Sequence, residues 1–231
     1  MKYAIIAAGE GSRLAQEGIA VPKPLVRLNG ESLIERLIRI FRDNGATEIT
    51  AITRTPMQLP QEVTHLVKAT PSSMHSFAEI TRGFGYDVAE PFIVTTVDTI
   101  FDEARFRDYV ETLEQAVKGG EADGVMAVTE YIDDEKPLYV ETNDEGYITA
   151  FLDSDPEHQC RYISAGIYGL TPKALATLRR CLDEGQSRMR NFQRAMIADG
   201  LKLKAFNLGK VIDIDHAGDI AKAEEIKGLR D

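Results

Sequence analysis

The sequence holds only two cysteines, Cys160 and Cys181, in 231 residues. Their spacing matches no metal-ligand pattern, which argues against a structural zinc and against a disulfide framework. Both are expected as free thiols in a reducing compartment. Long apolar runs are also missing, and nothing approaches the roughly 20 residues of a membrane span. Only Lys2 precedes the first apolar run, Ala4-Ile5-Ile6, which is too short for the core of a secretory signal. A cytoplasmic protein with no membrane partner is expected. Positive charge is scarce: 27 Lys and Arg stand against 37 Asp and Glu, a net of −10. That balance argues against non-specific nucleic-acid binding. His65, His75 and His158 show no ligand spacing and read as structural or solvated. No Ser-His-Asp or Cys-His arrangement stands out for nucleophilic catalysis.

What positive charge there is lies unevenly. Residues 1–42 carry seven Lys and Arg against four Glu, a local net of +3, so the remainder carries −13. A locally basic segment in an acidic chain suits a site for a small anion. For Arg36, Arg39 and Arg42 the plainer reading is solvated helix charge. The length allows one large α/β domain with a real core, or two small ones.

The strongest local signal follows the first apolar run. It reads Ala7-Ala8-Gly9-Glu10-Gly11-Ser12-Arg13-Leu14 and then Pro22-Lys23-Pro24-Leu25. A short apolar run closed by glycines predicts a buried strand opening into a loop. Glycines let the backbone approach a ligand, and clustered N–H groups suit phosphate oxygens. Arg13 adds a planar fork of donors and Lys23 a mobile point charge. The pattern is not a Walker A loop, because no Gly-Lys-Ser/Thr closes it. It is not a dinucleotide fingerprint, because Leu14 stands where the third glycine belongs. The plain alternative is a tight turn with a surface Arg and Lys. Taken whole, the unit resembles the signature of nucleotidyltransferases of the sugar-nucleotide pyrophosphorylase type.

That resemblance implies a three-layer α/β/α Rossmann-like fold with a mixed, mainly parallel central sheet and a β-hairpin over the acceptor side. Strand–helix alternation along the chain agrees with it. Ser32, with Glu35 three residues on, predicts a capped helix carrying Leu33, Ile34, Leu37, Ile38 and Phe41. Residues 15–30 read as a loop. Strands are expected at 49–53, 63–67 and 91–94, and helices at 103–117, after Thr171-Pro172, and at 189–199. Leu138–Glu141, the turn Asn143–Gly146 and Tyr147–Phe151 signal the hairpin. Leu201–Phe206 is expected as a late strand. One domain over 1–231 is expected, with a nucleotide-binding half at about 1–120 and an acceptor-binding half at about 121–231.

The same resemblance assigns roles. Ala8, Gly9, Gly11 and Ser12 would hold the nucleotide and its phosphates. Ser72 and Ser73, small residues where the family usually has glycine, would meet the base; either also suits the N-cap of the next helix. Asp98, just past an apolar strand, and Asp213, in Val211-Ile212-Asp213-Ile214-Asp215, match the two metal-binding aspartates and imply Mg²⁺. The plain alternative for Asp98 is capping of the helix at 103–117. Asp215 is expected to cap the final helix rather than touch the metal. Tyr162–Gly169 resembles the family's Asn-Ala-Gly-Ile-Tyr strand, with Ser164 for Asn, and implies Gly166 and Tyr168 on the acceptor side. Glu135-Lys136-Pro137 imitates a sugar-binding motif but precedes the hairpin, and the lysine usual after the hairpin is replaced by Asp153-Ser154-Asp155. His216-Ala217 replaces the family's Thr-Pro. No left-handed β-helix repeats occur, so a fused acyltransferase or regulatory domain is not expected.

The implied reaction is attack by an acceptor phosphate oxygen on the α-phosphorus of an NTP, with pyrophosphate leaving in line. The nucleophile is already an anion, so no general base is required. Arg13 would stabilise pyrophosphate, and Lys23 the α-phosphate or the acceptor phosphate. A sugar 1-phosphate is the expected acceptor, giving an NDP-sugar. Rival readings are a cytidylyltransferase acting on phosphocholine or another small phosphate, a cofactor guanylyltransferase, a glycosyltransferase using Asp213-x-Asp215, and a non-catalytic nucleotide-binding homologue.

Overall fold

A computed structural model describes residues 1–84, 90–133 and 135–226. Strand β1 (Lys2–Ala7) opens through the glycine loop into a short helix α1 (Ser12–Gln16), and Lys23–Leu25 form a single 3₁₀ turn. Segments β2 (Arg27–Leu28) and β3 (Glu31–Ser32) make a small ribbon, followed by α2 (Leu33–Asp43), β4 (Glu48–Thr53), β5 (Val63–Val67) and α3 (Ser73–Thr81). The chain continues through β6 (Phe92–Thr96), β7 (Thr99–Ile100), α4 (Glu103–Lys118) and β8 (Gly124–Thr129). A hairpin, β9 (Tyr139–Thr142) and β10 (Ile148–Leu152), leads to the long β11 (Tyr162–Leu170). Helices α5 (Ala174–Asp183) and α6 (Met189–Ala198), strands β12 (Leu203–Asn207) and β13 (Ile212–Asp213), and helix α7 (Ala217–Glu224) complete it.

Nine of the strands form one sheet. Its main path runs β10-β9-β11-β6-β1-β4-β5, with β8 and β12 continuing from β11. Pairs β5–β4–β1–β6 and β8–β12 are parallel; β11 runs antiparallel to β6, β8 and β9. Alternation along β1 explains the layers. Tyr3, Ile5 and Ala7 enter a core with α2 and α4, whereas Ala4, Ile6 and Ala8 enter one with α3, α5 and α6. The expected three-layer, mixed-sheet fold is therefore present, and the hairpin is part of the main sheet.

Local chemistry sets the element ends. The α2 capping box forms as its residues predict: the Ser32 N–H donates to Glu35 Oε2 (3.1 Å), and the Glu35 N–H to Ser32 Oγ (3.4 Å). Asp102, not Asp98, caps α4, accepting from the N–H groups of Ala104 and Arg105. The late strand starts at Leu203 rather than Leu201, because the Leu201 N–H closes back onto Met196 and the Lys202 N–H is held by Asp123. Residues 15–30 are more ordered than a plain loop. Pro22 and Pro24 predispose the 3₁₀ turn that presents Lys23.

From β1 the chain moves outward to β4 and β5, then returns to β6 on the other side of β1. Strand order reverses between β1 and β6, and ligands of open α/β sheets bind outside the carboxyl ends of the strands at such a point. The glycine loop and Asp98 both lie there.

Candidate active site

A cavity of about 380 Å³ opens at this reversal point. Ala8, Gly9, Gly11, Ser12, Arg13, Lys23, Ser72, Ser73 and Asp98 all line it. Nine residues expected to bind nucleotide, phosphate or metal are thus brought to one place. Among the described residues, the N–H groups of Gly9 to Ser12 donate to no carbonyl of the surrounding turns. Gly11 adopts φ +62°, where a side chain is strained, and its Cβ position would lie 3.4 Å from that of Lys23. The glycine lets the loop and the Pro-Lys-Pro turn sit against each other.

Lys23 is the centre of the charge arrangement. Its side chain is 11% exposed, and its Nζ donates to Asp98 Oδ2 (2.7 Å) and Asp215 Oδ1 (2.8 Å). Arg13 Nη1 donates to the other oxygen of Asp215 (2.9 Å). Burial disfavours the ammonium, but the carboxylates of Asp98 and Asp215 outweigh burial and hold its pKa above the ordinary lysine value. Burial likewise disfavours the Asp215 carboxylate, and Lys23 and Arg13 overcome that, holding its pKa below the usual range. Both groups are charged at neutral pH.

Asp215 therefore does not cap α7. Its carboxylate bridges the two cations of the N-terminal signature, while other acids serve the helix. Asp219 accepts from the N–H groups of His216 (2.8 Å) and Asp215 (3.2 Å), and Glu17 accepts from the Ala217 N–H (2.6 Å). Glu17 also meets His216 Nδ1 at 2.6 Å, tying the end of α1 to α7. That hydrogen bond raises the pKa of His216 and, with the Ala217 N–H, lowers that of Glu17. The Asp-Ile-Asp alternation, which places both carboxylates on one side of an extended chain, was the sequence signal for Asp215.

The second aspartate of the resembled motif arrives by strand pairing. β13 runs antiparallel to β7, setting Asp213 opposite Thr99, and the Ile214 N–H donates to the Asp98 carbonyl (3.0 Å). Asp98 and Asp213 are thus carried by adjacent chains. Burial raises the pKa of the Tyr168 phenol, and the charges of Asp213 and Asp98 raise it further. Among the described residues, no group of three or more His, Cys, Asp and Glu is set to enclose an ion. Two hard carboxylates on neighbouring segments are the donor type that Mg²⁺ takes together with substrate phosphates.

A second cavity, of about 210 Å³, adjoins the first and shares Arg13 and Asp215 with it. Ser164, Asp213 and His216 are on its wall, with Tyr131, Asp133 and Lys222. Gly166 and Tyr168, expected on the acceptor side, line neither cavity. Tyr168 is 4% exposed within the core under α5 and α6. Gly166 adopts φ +72°, and a Cβ there would stand 3.0 Å from Thr99 Oγ1. β11 breaks register with β8 between Ser164 and Tyr168, so Gly166 forms a bulge against the corner that presents Asp98. Ser72 caps α3, as expected, and its hydroxyl also meets His75 Nδ1 (2.8 Å). Asp153, where the family has lysine nearby, is paired with Arg190 and Arg194 of α6. Sequence reasoning missed Arg54, which lines the first cavity and pairs with Glu10 across its mouth (2.9 Å).

Known proteins resemble this architecture. A bifunctional IPC transferase and DIPP synthase of Rubrobacter xylanophilus is 27% identical over 242 residues, covering 96% of this chain and 51% of its own length. The chain spans about half the length of that curated relative. A putative glucose-1-phosphate thymidylyltransferase from Bacillus anthracis superposes with TM-score 0.80 at 18% identity, over 100% of this chain and 96% of that one. The inositol-1-phosphate CTP transferase from T. maritima does so with TM-score 0.73 at 19% identity, over 97% and 96%. These structural likenesses establish the fold, Rossmann-like with a mixed sheet. The MobA-like NTP transferase domain model matches residues 3–196, a stretch that takes in the glycine loop, Lys23, Asp98 and β11, and the chain belongs to that family of nucleotidyltransferases.

Proposed function

We propose that this protein transfers a nucleoside monophosphate from a Mg²⁺-bound NTP to a phosphorylated small acceptor, releasing pyrophosphate. The observation that carries this reading is Lys23, a nearly buried ammonium held between Asp98 and Asp215 beside two adjoining cavities. The 380 Å³ cavity, built by the first 120 residues and Asp215, would take the NTP. The 210 Å³ cavity, walled mainly by later residues, would take the acceptor.

The backbone of Ala8–Ser12 would hold the phosphates, and Ser72 and Ser73 would border the base. Binding exchanges the contacts of Arg13 and Lys23 with Asp215 for contacts with phosphate oxygens. Arg13 then neutralises charge on the departing pyrophosphate. Lys23 neutralises charge on the α-phosphate as the acceptor oxygen attacks. Asp98 and Asp213 would hold Mg²⁺, which supplies charge neutralisation and alignment for in-line displacement when bound. Tyr168, a neutral phenol behind the carboxylates, and Gly166, which admits the Thr96–Thr99 corner, shape the acceptor side.

For the acceptor we favour a polyol phosphate, inositol 1-phosphate or a sugar 1-phosphate, with CTP as the first nucleotide to test. Similarity to an inositol-1-phosphate CTP transferase over nearly the whole chain supports the pair. Asp133, Glu135 and Asp219 on the acceptor cavity can accept hydrogen bonds from hydroxyl groups. The same carboxylates favour a second reading, a small phosphate bearing an ammonium group such as phosphocholine. Free thiols at Cys160 and Cys181 suit a cytoplasmic setting, where NTPs are supplied.

The test is pyrophosphate release with Mg²⁺ across the four NTPs, each against inositol 1-phosphate, sugar 1-phosphates and phosphocholine. Release that requires one NTP and one acceptor establishes the reaction and names both substrates. Nucleotide binding with no release for any pair would withdraw the catalytic roles.

A further inference from the structure

Arg36, on α2, has no place in the chemistry above, yet among the described residues it is one of the largest fully buried side chains, 1% exposed. Its Nη2 donates to the Phe101 carbonyl (2.7 Å), and its guanidinium carbon lies 4.8 Å from the centre of the Phe101 ring. Nε and Nη1 are buried without a hydrogen-bond partner among the described residues. The nearest carboxylate, Glu103, stands 3.7 Å from Nε, and both its oxygens are already held by Arg39, at 2.7 and 2.9 Å. Burial lowers the Arg36 pKa to about 10, with Glu103 opposing. A buried guanidinium with two idle donors is a poor stabiliser, and an apolar side chain of similar length would fill the space without that penalty. The solvated helix charge expected of Arg36 does not describe it.

The geometry supplies a different use. Asp98 is suspended between two anchors: the Val97 N–H donates to the Ile6 carbonyl of β1 (3.0 Å), and the Phe101 carbonyl accepts from Arg36 of α2. Between these anchors, Thr99 and Ile100 pair with Asp213 and Ile212, and the Asp98 carbonyl accepts from the Ile214 N–H. One grip on Phe101 therefore bears on both carboxylates. We propose that Arg36 is a positioning residue that, through the Phe101 carbonyl, fixes the β7–β13 ribbon and so the direction from which Asp98 and Asp213 face the substrate phosphates. The inference rests on the metal role proposed for those two residues.

Two measurements on Arg36→Met and Arg36→Lys test it. Hydrogen–deuterium exchange is followed in peptides covering 97–101 and 211–215, with β1 and β4 as internal controls. Half-saturating Mg²⁺ is read from pyrophosphate release. In Arg36→Met, ribbon exchange is expected to rise about tenfold or more, the size of a lost charged hydrogen bond, with β1 and β4 unchanged. Half-saturating Mg²⁺ is expected to rise about tenfold or more, as when groups that orient metal ligands are removed. Arg36→Lys, which keeps a donor, should fall between. Unchanged ribbon exchange, or exchange raised evenly over the sheet, overturns the proposal, as does a loosened ribbon with wild-type Mg²⁺ response. If Arg36→Met does not fold, Arg36→Lys is read against the same limits. Wild-type protein without Mg²⁺-dependent turnover would sink the function proposed above, and the exchange measurement would still decide whether Arg36 holds the ribbon.

Discussion

The two cavities share Arg13 and Asp215, and are built in different ways. The cavity proposed for the nucleotide stands on the parallel strands β5, β4, β1 and β6, and most of its wall comes from short runs at 6–13, 70–73 and 96–98. The cavity proposed for the acceptor gathers the end of β8, the following loop, the bulged part of β11 and the segment 211–222. Parallel strands end in loops that face one way, so a single loop can hold most of a triphosphate site. The antiparallel region brings its wall together only through pairings far apart in sequence. The glycine loop and the Pro-Lys-Pro turn keep the resembled pattern, whereas departures fall on both cavities, at Ser72 and Ser73 of the first and at Ser164 and His216 of the second.

The sharpest way to break this division is at the carboxylates where the two sides meet. Asp98→Asn and Asp213→Asn should each lower Mg²⁺-dependent turnover more than about a thousandfold while the fold survives, given the several kcal/mol that a catalytic metal supplies. Full activity in Mg²⁺ for either variant would remove that residue from the metal site. Lys23→Ala comes next. Loss of one preorganised charge donor lowers turnover by about two to three orders of magnitude. Near-normal turnover would take Lys23 out of the chemistry.

A smaller effect tests the acceptor side alone. Gly166→Ala forces a side chain into the left-handed region and 3.0 Å from Thr99 Oγ1. The expected loss of stability is about 1–3 kcal/mol, read by denaturant titration. The acceptor KM should rise more than the NTP KM. Equal rises would mean that the bulge serves both cavities alike.

The smallest effect concerns the link between α1 and α7. Glu17 raises the His216 pKa above its ordinary 6.5, so His216 contributes stability fully below pH 6.5 and loses it as pH rises through the raised value. Glu17, with its pKa lowered, contributes above the ordinary carboxylate range and loses that contribution as pH falls. The contact is therefore strongest from about pH 5 to 6.5. The stability gap between wild type and His216→Gln, taken from urea midpoints, should shrink from pH 6 to pH 8.5. A gap constant over that range would show that the contact does not titrate.

Much of this is legible in the sequence. The Ser32–Glu35 box, the Asn143–Gly146 turn and the apolar run at 91–94 are short-range signals, and each gives the element its residues predict. The capping of α4 was assigned to the wrong neighbourhood only in the alternative reading, since Asp102 lies nearer the helix than Asp98. Asp215 was misread because Asp before a helix is a favourable cap, and nothing local reveals that Glu17, some 200 residues earlier, joins Asp219 in satisfying that end. The 3₁₀ turn at Lys23–Leu25 went unseen because a three-residue helix has no periodicity to read.

The alternation of strands and helices, the glycine loop and the cations that reach the first cavity could be read from the chain, because periodicity, turn residues and ionic character act over a few positions. Tertiary structure alone decided that Asp98 and Asp213 lie on adjacent chains, that Asp215 bridges Arg13 and Lys23, and that Arg36 is buried against Phe101 rather than solvated. Those contacts join residues between 65 and 202 positions apart. They exist only because β6 returns beside β1 and β13 pairs with β7, and sheet pairing of that range leaves no local trace in the chain.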